Sequence, residues 1–254
     1  MEKLLEINSK EYNISAKIYL PEEMNLKEII IACHGFAGDK ESLTIKLLAD
    51  VMIKNGIGVF CFDFPGHGES KLDGSNLTID NCIQDINTVE AYIKQNYNIP
   101  ISIFATSFGA YIALINIAQN NKTYKKIILR SPAIRMANIY RYKLLRETEE
   151  DNKNRGYTKL GFEREIIIPY SFMEDLDNND IFEMYKNMKI PKMHIIQGDK
   201  DDIVPIEDTK EFVSLNPKKI TLNIIEGADH RMKGEGELEK TIKYCKEIIL
   251  KKFV

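Results

Sequence analysis

Between Ile101 and Gln119 the chain passes from a strand to a helix with almost no loop. Ile101 to Phe104 is a short apolar run after Pro100, and Phe108 to Gln119 is a helical segment rich in Ala and Ile. A reversal that abrupt needs small residues beside it so that neighbouring backbone can approach, and it lifts Ser107 to the carboxyl end of the strand. Ala105 and Gly109 meet that need.

The rest of the chain supplies strands and helices to surround the turn. Short β-branched runs fall near Leu4 to Ile7, Tyr12 to Leu20, Glu28 to Cys33, Gly58 to Phe62, Ile101 to Phe104, Lys126 to Leu129, Met193 to Ile196 and Thr221 to Ile225. Segments of helical period lie between them at Glu41 to Asn55, Asp80 to Asn96 and Phe108 to Gln119, with a last one from Glu237 to Lys252. This alternation predicts an α/β class: a mostly parallel sheet of eight strands flanked by helices, beginning with an antiparallel pair joined by a turn. With 254 residues, 44% hydrophobic, one large core suffices.

The pattern changes after Ser131. Ala133 to Lys189 is polar, carries RETEEDNKNR and EDLDNND, and is too long for an ordinary connection. Its Tyr140, Tyr142, Tyr157, Tyr170 and Phe172 are more than a spacer needs. We therefore expect a core of residues 1–132 and 190–254 with an inserted cap at 133–189.

Charge narrows the partners. The net charge is −3 and both signs are interspersed, which speaks against a nucleic-acid tract or a polybasic membrane anchor. No stretch approaches the roughly 20 apolar residues that span a bilayer, and the N-terminus lacks a signal-peptide run. Cys33, Cys61, Cys82 and Cys245 have no CxxC spacing and read as reduced core thiols. These features lead us to expect a cytoplasmic protein acting on a small molecule, with a homodimer left open.

For Ser107 to act as a nucleophile, a base and an orienting acid must follow it in the chain. A serine that merely caps a helix predicts neither. Of the four histidines, His194 sits inside an apolar strand, and His34 and His67 precede glycines in upstream loops. His230, in EGADH after the last strand, is the best base. The turn QGDKDDIVP after the preceding strand offers Asp201, with Asp202 as the alternative and Asp199 a distant third. The order serine, acid, histidine is the one such a sheet requires. The backbone N–H of Phe108, opening the helix, is one candidate oxyanion donor, and that of Phe36, in CHGFAG, is the second.

The segments HGFAG, FDFPGHGES, ATSFGA, GDKDDIVP and GADH, in this order and spanning nearly the whole chain, resemble those of the α/β-hydrolases. Within them the likeness is greatest to bacterial feruloyl/cinnamoyl esterases and to serine-aminopeptidase-like and monoacylglycerol-lipase-like hydrolases. The resemblance implies Ser107 as nucleophile, His230 as base, Asp201 as acid at the fourth position of GxxDxxVP, Phe36 and Phe108 as oxyanion donors, and His67 in a structural turn. One departure is Ala105, which stands where the family's GxSxG has its first glycine. The implied activity is carboxylic-ester hydrolysis through an acyl-enzyme, with no metal or organic cofactor. A small or aromatic, feruloyl-type ester is expected, with Tyr140, Tyr170 and Phe172 lining the acyl pocket. Alternatives are a lipase or thioesterase for longer chains, an aminopeptidase-like hydrolase, an acyltransferase, or a non-catalytic binding protein on the same fold.

Overall fold

The computed structural model describes residues 1–9, 11–22, 25–160 and 165–251. The chain opens with the hairpin β1 (Glu2–Asn8) and β2 (Asn13–Tyr19), paired antiparallel from Glu2 opposite Tyr19 to Asn8 opposite Asn13. There follow β3 (Glu28–Cys33), α1 (Leu43–Ile53), β4 (Ile57–Phe62), α2 (Ile79–Tyr97), β5 (Ile101–Thr106), α3 (Phe108–Asn120) and β6 (Ile127–Arg130). Residues up to Pro191 then form α4 (Met136–Ile139), which runs into a wide π turn over Tyr140–Leu144, α5 (Glu149–Arg155), the hairpin β7 (Tyr157–Leu160) and β8 (Ile166–Pro169), α6 (Ser171–Asp177) and α7 (Ile181–Lys186). The chain returns to the sheet with β9 (Met193–Gly198), α8 (Ile206–Ser214), β10 (Ile220–Ile225) and α9 (Glu237–Leu250). The expected end of the last helix at Lys252 lies outside the described residues.

The large sheet has eight strands in the order β1-β2-β4-β3-β5-β6-β9-β10. β2 runs antiparallel to β4, and from β4 to β10 every pairing is parallel. The central strands are buried on both faces, so they read as continuous apolar runs, yet their side chains still alternate. Ile29, Ile31, Ile103 and Leu129 pack on one face with Ile86 of α2, Leu114 of α3 and Phe212 of α8. Ile30, Ala32, Phe104 and Ile128 pack on the other with Leu48 and Met52 of α1 and Ile249 of α9.

Local chemistry accounts for the helix bounds near the site. Thr78 caps α2 by accepting the N–H of Asn81 at 3.1 Å, and Asn98 ends it in the left-handed conformation at φ 48°. Ile79, Ile83, Ile86, Val89 and Ile93 recur at helical spacing and form its buried stripe. α3 is buried from Phe108 through Ile117, since it lies between the sheet and the segment 133–189. Polar bonds fasten that segment: Asp175 accepts the N–H of Ile79 at 2.7 Å, Tyr111 donates to the Asn179 carbonyl at 2.9 Å and Tyr185 to the Leu114 carbonyl at 3.0 Å. β8 presses on the turn Gly74–Asn76 so closely that a Cβ on Gly74 would lie 2.1 Å from the Ile167 carbonyl oxygen. Among the described residues no helix is long and apolar enough to cross a membrane.

The N-terminal hairpin meets α2 through a buried acid. Asp85 accepts the hydroxyl of Tyr12, and burial pushes its carboxyl up to about 7 against the opposing effect of that bond. In the unfolded chain the same group titrates near 3.9. The folded state therefore holds a proton that the unfolded chain releases, and native stability falls as pH rises from about 4 to about 7. Asp85→Asn keeps an acceptor for Tyr12 without the charge. Its melting temperature should match the native protein near pH 4, exceed it increasingly up to pH 7, and keep a constant lead above that; parallel curves at all pH would refute the assignment.

Candidate active site

Ser107 occupies the reversal between β5 and α3 with φ 51° and ψ −113°, a backbone conformation that few side-chain-bearing residues adopt. Three bonds hold it: its N–H donates to the Arg130 carbonyl at 2.9 Å, and its own carbonyl accepts from Tyr111 at 3.1 Å and Ala133 at 3.2 Å. The glycines around it are needed for closeness. A Cβ on Gly109 would stand 2.3 Å from the His34 carbonyl oxygen, and one on Gly35 would stand 3.3 Å from the Ser107 Cβ. Ala105 is fully buried in register between Cys33 and Leu129, so its methyl group is accommodated within the sheet and the turn forms all the same.

His230 and Asp201 converge on this serine from the loops after β10 and β9. His230 Nε2 lies 3.1 Å from Ser107 Oγ, while Nδ1 lies 2.9 Å and 3.0 Å from the two Asp201 oxygens. Burial alone would raise the Asp201 carboxyl, but the His230 ring and the N–H groups of Val204 and Ile203 hold it below the usual range. Of the three carboxylates in that turn, Asp201 is the one that meets His230. Asp202 is exposed, and Asp199 accepts the N–H of Gly227 at 2.6 Å. Gln197 steadies the turn by donating to the Val204 carbonyl at 2.9 Å and accepting from Thr209 at 2.6 Å.

The loop after β3 passes on the other side of Ser107. Gly38 donates to the Gly35 carbonyl at 3.0 Å, Ala37 takes φ 57°, and the turn leaves the N–H of Phe36 without an acceptor among the described residues. The N–H of Phe108, first in α3, is free in the same way. His34 is the strut of this loop: Nε2 accepts the Phe64 N–H at 3.1 Å and Nδ1 faces the Gly35 carbonyl at 2.8 Å, which requires the proton on Nδ1. Burial lowers its pKa to about 4, so the ring stays neutral. His67 bonds the Pro65 carbonyl at 2.8 Å and stacks on Phe108, beside Phe36. His194 sits near the amino end of β9, away from the carboxyl ends where the other groups meet. A buried ion pair ties the two upstream loops together: Lys40 Nζ and its N–H both bond Asp63 at 2.7 Å, and Asp63 also accepts the Glu69 N–H at 2.8 Å.

These groups open into a cavity of about 590 Å³. From segment 133–189 its wall takes Met136, Ile139 and Leu144. This corrects the expectation for Tyr140, Tyr170 and Phe172, none of which lines it. Tyr140 and Phe172 are buried and pack ring to ring at 5.7 Å, with Phe172 also against Phe108, so they serve as packing between segment 133–189 and α3. Tyr170 donates its hydroxyl to Glu149 at 3.0 Å. Arg130, which the sequence reading passed over, also lines the cavity and donates from Nη2 to the His230 carbonyl at 2.7 Å. Its signal was there to be seen, a cation ending the apolar strand IILR on the ligand side of the sheet. Among the described residues no three His, Cys, Asp or Glu side chains come together as a metal site.

Gly109→Ala tests how tightly α3 is seated on the His34 loop. The added methyl must displace either the helix start or the His34 carbonyl, and the denaturation midpoint should fall by the equivalent of about 1–3 kcal/mol. An unchanged midpoint would mean that the helix start and the His34 loop give way easily to the added methyl.

Similarities to known proteins follow the same outline. The family model described as Serine aminopeptidase, S33 matches residues 24–166. No curated protein matches the sequence. Among solved structures, Est1E from Butyrivibrio proteoclasticus with ferulic acid bound superposes with a TM-score of 0.81 at 21% identity, over 97% of this chain and 100% of that one. Alpha/beta hydrolase domain-containing protein 10 from mouse gives 0.73 at 19% identity, over 97% and 98%. XC6422 from Xanthomonas campestris, a serine hydrolase without a lid, gives 0.67 at 17% identity, over 98% and 93%. At these identities the structures share the fold, and with the family match over more than half of its length the chain belongs to the serine aminopeptidase S33 family of the α/β-hydrolases.

Proposed function

We propose that the protein is a serine ester hydrolase working through an acyl-enzyme on Ser107. The observation that carries this reading is the unbroken line from Ser107 Oγ through His230 to Asp201, at 3.1 Å and 2.9 Å. In the proposed reaction His230 Nε2 takes the serine proton as Oγ attacks the carbonyl carbon. The N–H groups of Phe36 and Phe108 receive the oxyanion, aided by the start of α3. His230 then gives its proton to the leaving alcohol, and a water activated by the same nitrogen releases the acid. Asp201 holds the proton on Nδ1 and balances the imidazolium.

The cavity wall bears on the substrate. Met136, Ile139 and Leu144 make an aliphatic surface suited to a short or medium acyl chain, and that is the acyl group we favour. A feruloyl-type ester is the second reading, supported by the likeness to Est1E with its bound ferulic acid. An aminopeptidase needs a carboxylate for the substrate amine, and among the described residues none lines the cavity. Three of the four acids between positions 174 and 180 are committed elsewhere: Asp175 to the start of α2, Asp177 to Arg141, and Asp180 to the cap of α7.

Hydrolysis of p-nitrophenyl esters from acetate to decanoate, beside methyl ferulate, tests the reading. Native protein should turn over at least one, and Ser107→Ala should lose about a thousandfold or more in kcat. Equal inactivity of both on every ester would remove the proposal. Ile139→Trp, which fills the aliphatic wall, should shift the best substrate to a shorter chain; an unaltered chain-length profile would show that the acyl group lies elsewhere.

A further inference from the structure

The cavity is not uniform. Besides the aliphatic wall it is bounded by Ser42 and Thr44 at the start of α1 and by Arg130 and Arg231. Arg130 and Thr106 are partners in register at the carboxyl ends of β6 and β5. Both belong to the sheet face that packs against α1 and α9, since Ile128 and Phe104, two residues earlier, lie in that core.

Arg130 is the informative residue. It is 6% exposed, and burying a guanidinium is costly unless a negative group accompanies it. Among the described residues it has no ion pair. Its bond to the His230 carbonyl uses Nη2, and Nε has no hydrogen-bond partner. The nearby carboxylates are engaged with other groups. Asp201 is bonded to His230, Ile203 and Val204, and Asp229 accepts the N–H groups of Arg231 and Lys233.

The start of α1 has the same unmet demand. Its N-cap Ser42 makes no side-chain cap bond, and the first turn carries no acid, so the positive end of an eleven-residue helix faces the cavity uncompensated. The acids just before it are occupied: Glu41 pairs with Lys17 and Lys46, and Asp39 accepts the Glu41 N–H at 2.8 Å. A buried cation and a bare helix start thus bound the same cavity, which among the described residues no carboxylate lines.

We propose that this part of the cavity is a carboxylate subsite, and that the esters preferred by the protein carry a second, ionised carboxyl group held there by Arg130 and the N-terminal N–H groups of α1. A carboxylate suits a planar guanidinium and the backbone N–H groups that open a helix. The aliphatic wall and the cationic part then select together, for an apolar acyl or alcohol group that bears a charge on one side of the scissile bond. The word ester rests on the function proposed above, whereas the subsite does not.

Two matched pairs test it. p-Nitrophenyl glutarate, with its free carboxylate, is compared with p-nitrophenyl pentanoate, and para-acetoxybenzoate with para-acetoxybenzamide, so that the charge enters once on each side of the ester. Native kcat/KM should favour the charged member of at least one pair by about tenfold or more. Arg130→Met should bring that ratio to about one or below, and so should Thr44→Asp, which places an acid at the helix start without touching the His230 loop. The ratio is taken within each protein, so a general loss of activity in Arg130→Met does not enter it. In Ser107→Ala, calorimetric affinity for para-acetoxybenzoate should exceed that for its amide. Turnover of the neutral esters with no preference for charge would overturn the subsite and leave the hydrolase standing. Selective binding of the benzoate without turnover of any ester would support the subsite and remove the hydrolase.

Discussion

Ser107 sits at φ 51° because β5 has to become α3 within a residue or so, and much of the molecule is arranged to pin it there. A conformation of this kind costs about 1–3 kcal/mol and persists only when the surroundings over-determine it. The strand on one side is buried between β3 and β6, and the helix on the other is buried through Ile117. The serine's own amide and carbonyl are bonded to Arg130, Tyr111 and Ala133. The strain recurs nearby: Ala37, Ser131 and Met232 also take positive φ, in the loops after β3, β6 and β10. The other two such residues that bear side chains, Asn98 and Asn121, end helices, where asparagine tolerates the conformation. Backbone strain in this protein is therefore concentrated at the carboxyl ends of the strands that surround the serine.

The loops that complete the site are held by polar groups removed from water. His34 bridges two loops as a neutral ring, and Lys40 with Asp63 bridges them again as an ion pair with both side chains almost wholly buried. Such a pair repays its desolvation poorly as a source of stability. Its value here is geometric. Asp63 accepts three N–H donors at once, two from Lys40 and one from Glu69, and so fixes the distance between the turn that carries Phe36 and the turn that carries His67.

The sheet, its antiparallel start and the meeting of serine, histidine and aspartate were legible in the sequence. Each depends on a period of two or of 3.6, or on a loop that must follow a strand, and these are local signals. The cavity wall was not legible. Composition shows that aromatic residues lie between 133 and 189, but not which of them turn inward. Ile139 and Tyr140 are adjacent in one helical turn, yet the first lines the cavity and the second packs on Phe172. The π turn adds to the difficulty, for Leu145 bonds back to Tyr140 and shifts Leu144 out of the ordinary helical register onto the same wall as Ile139. Arg130 escaped for another reason. One cation at the end of a strand looks like a solvent contact until its surroundings show that no solvent reaches most of it.

The bonds that fasten segment 133–189 to the core leave from residues 175–185 and also from its start, where Arg135 pairs with Asp208 and Glu211 of α8, next to the wall that Met136, Ile139 and Leu144 form. Anchorage and cavity wall thus share the first turns of the insertion, where Met136 and Ile139 also belong to the buried core. A change at position 136 or 139 therefore alters the cavity and the seating of the insertion together, whereas Leu144 is only partly buried and can be exchanged with less effect on packing. The shape of the space above Ser107 is thus coupled to the way the insertion is held on the sheet.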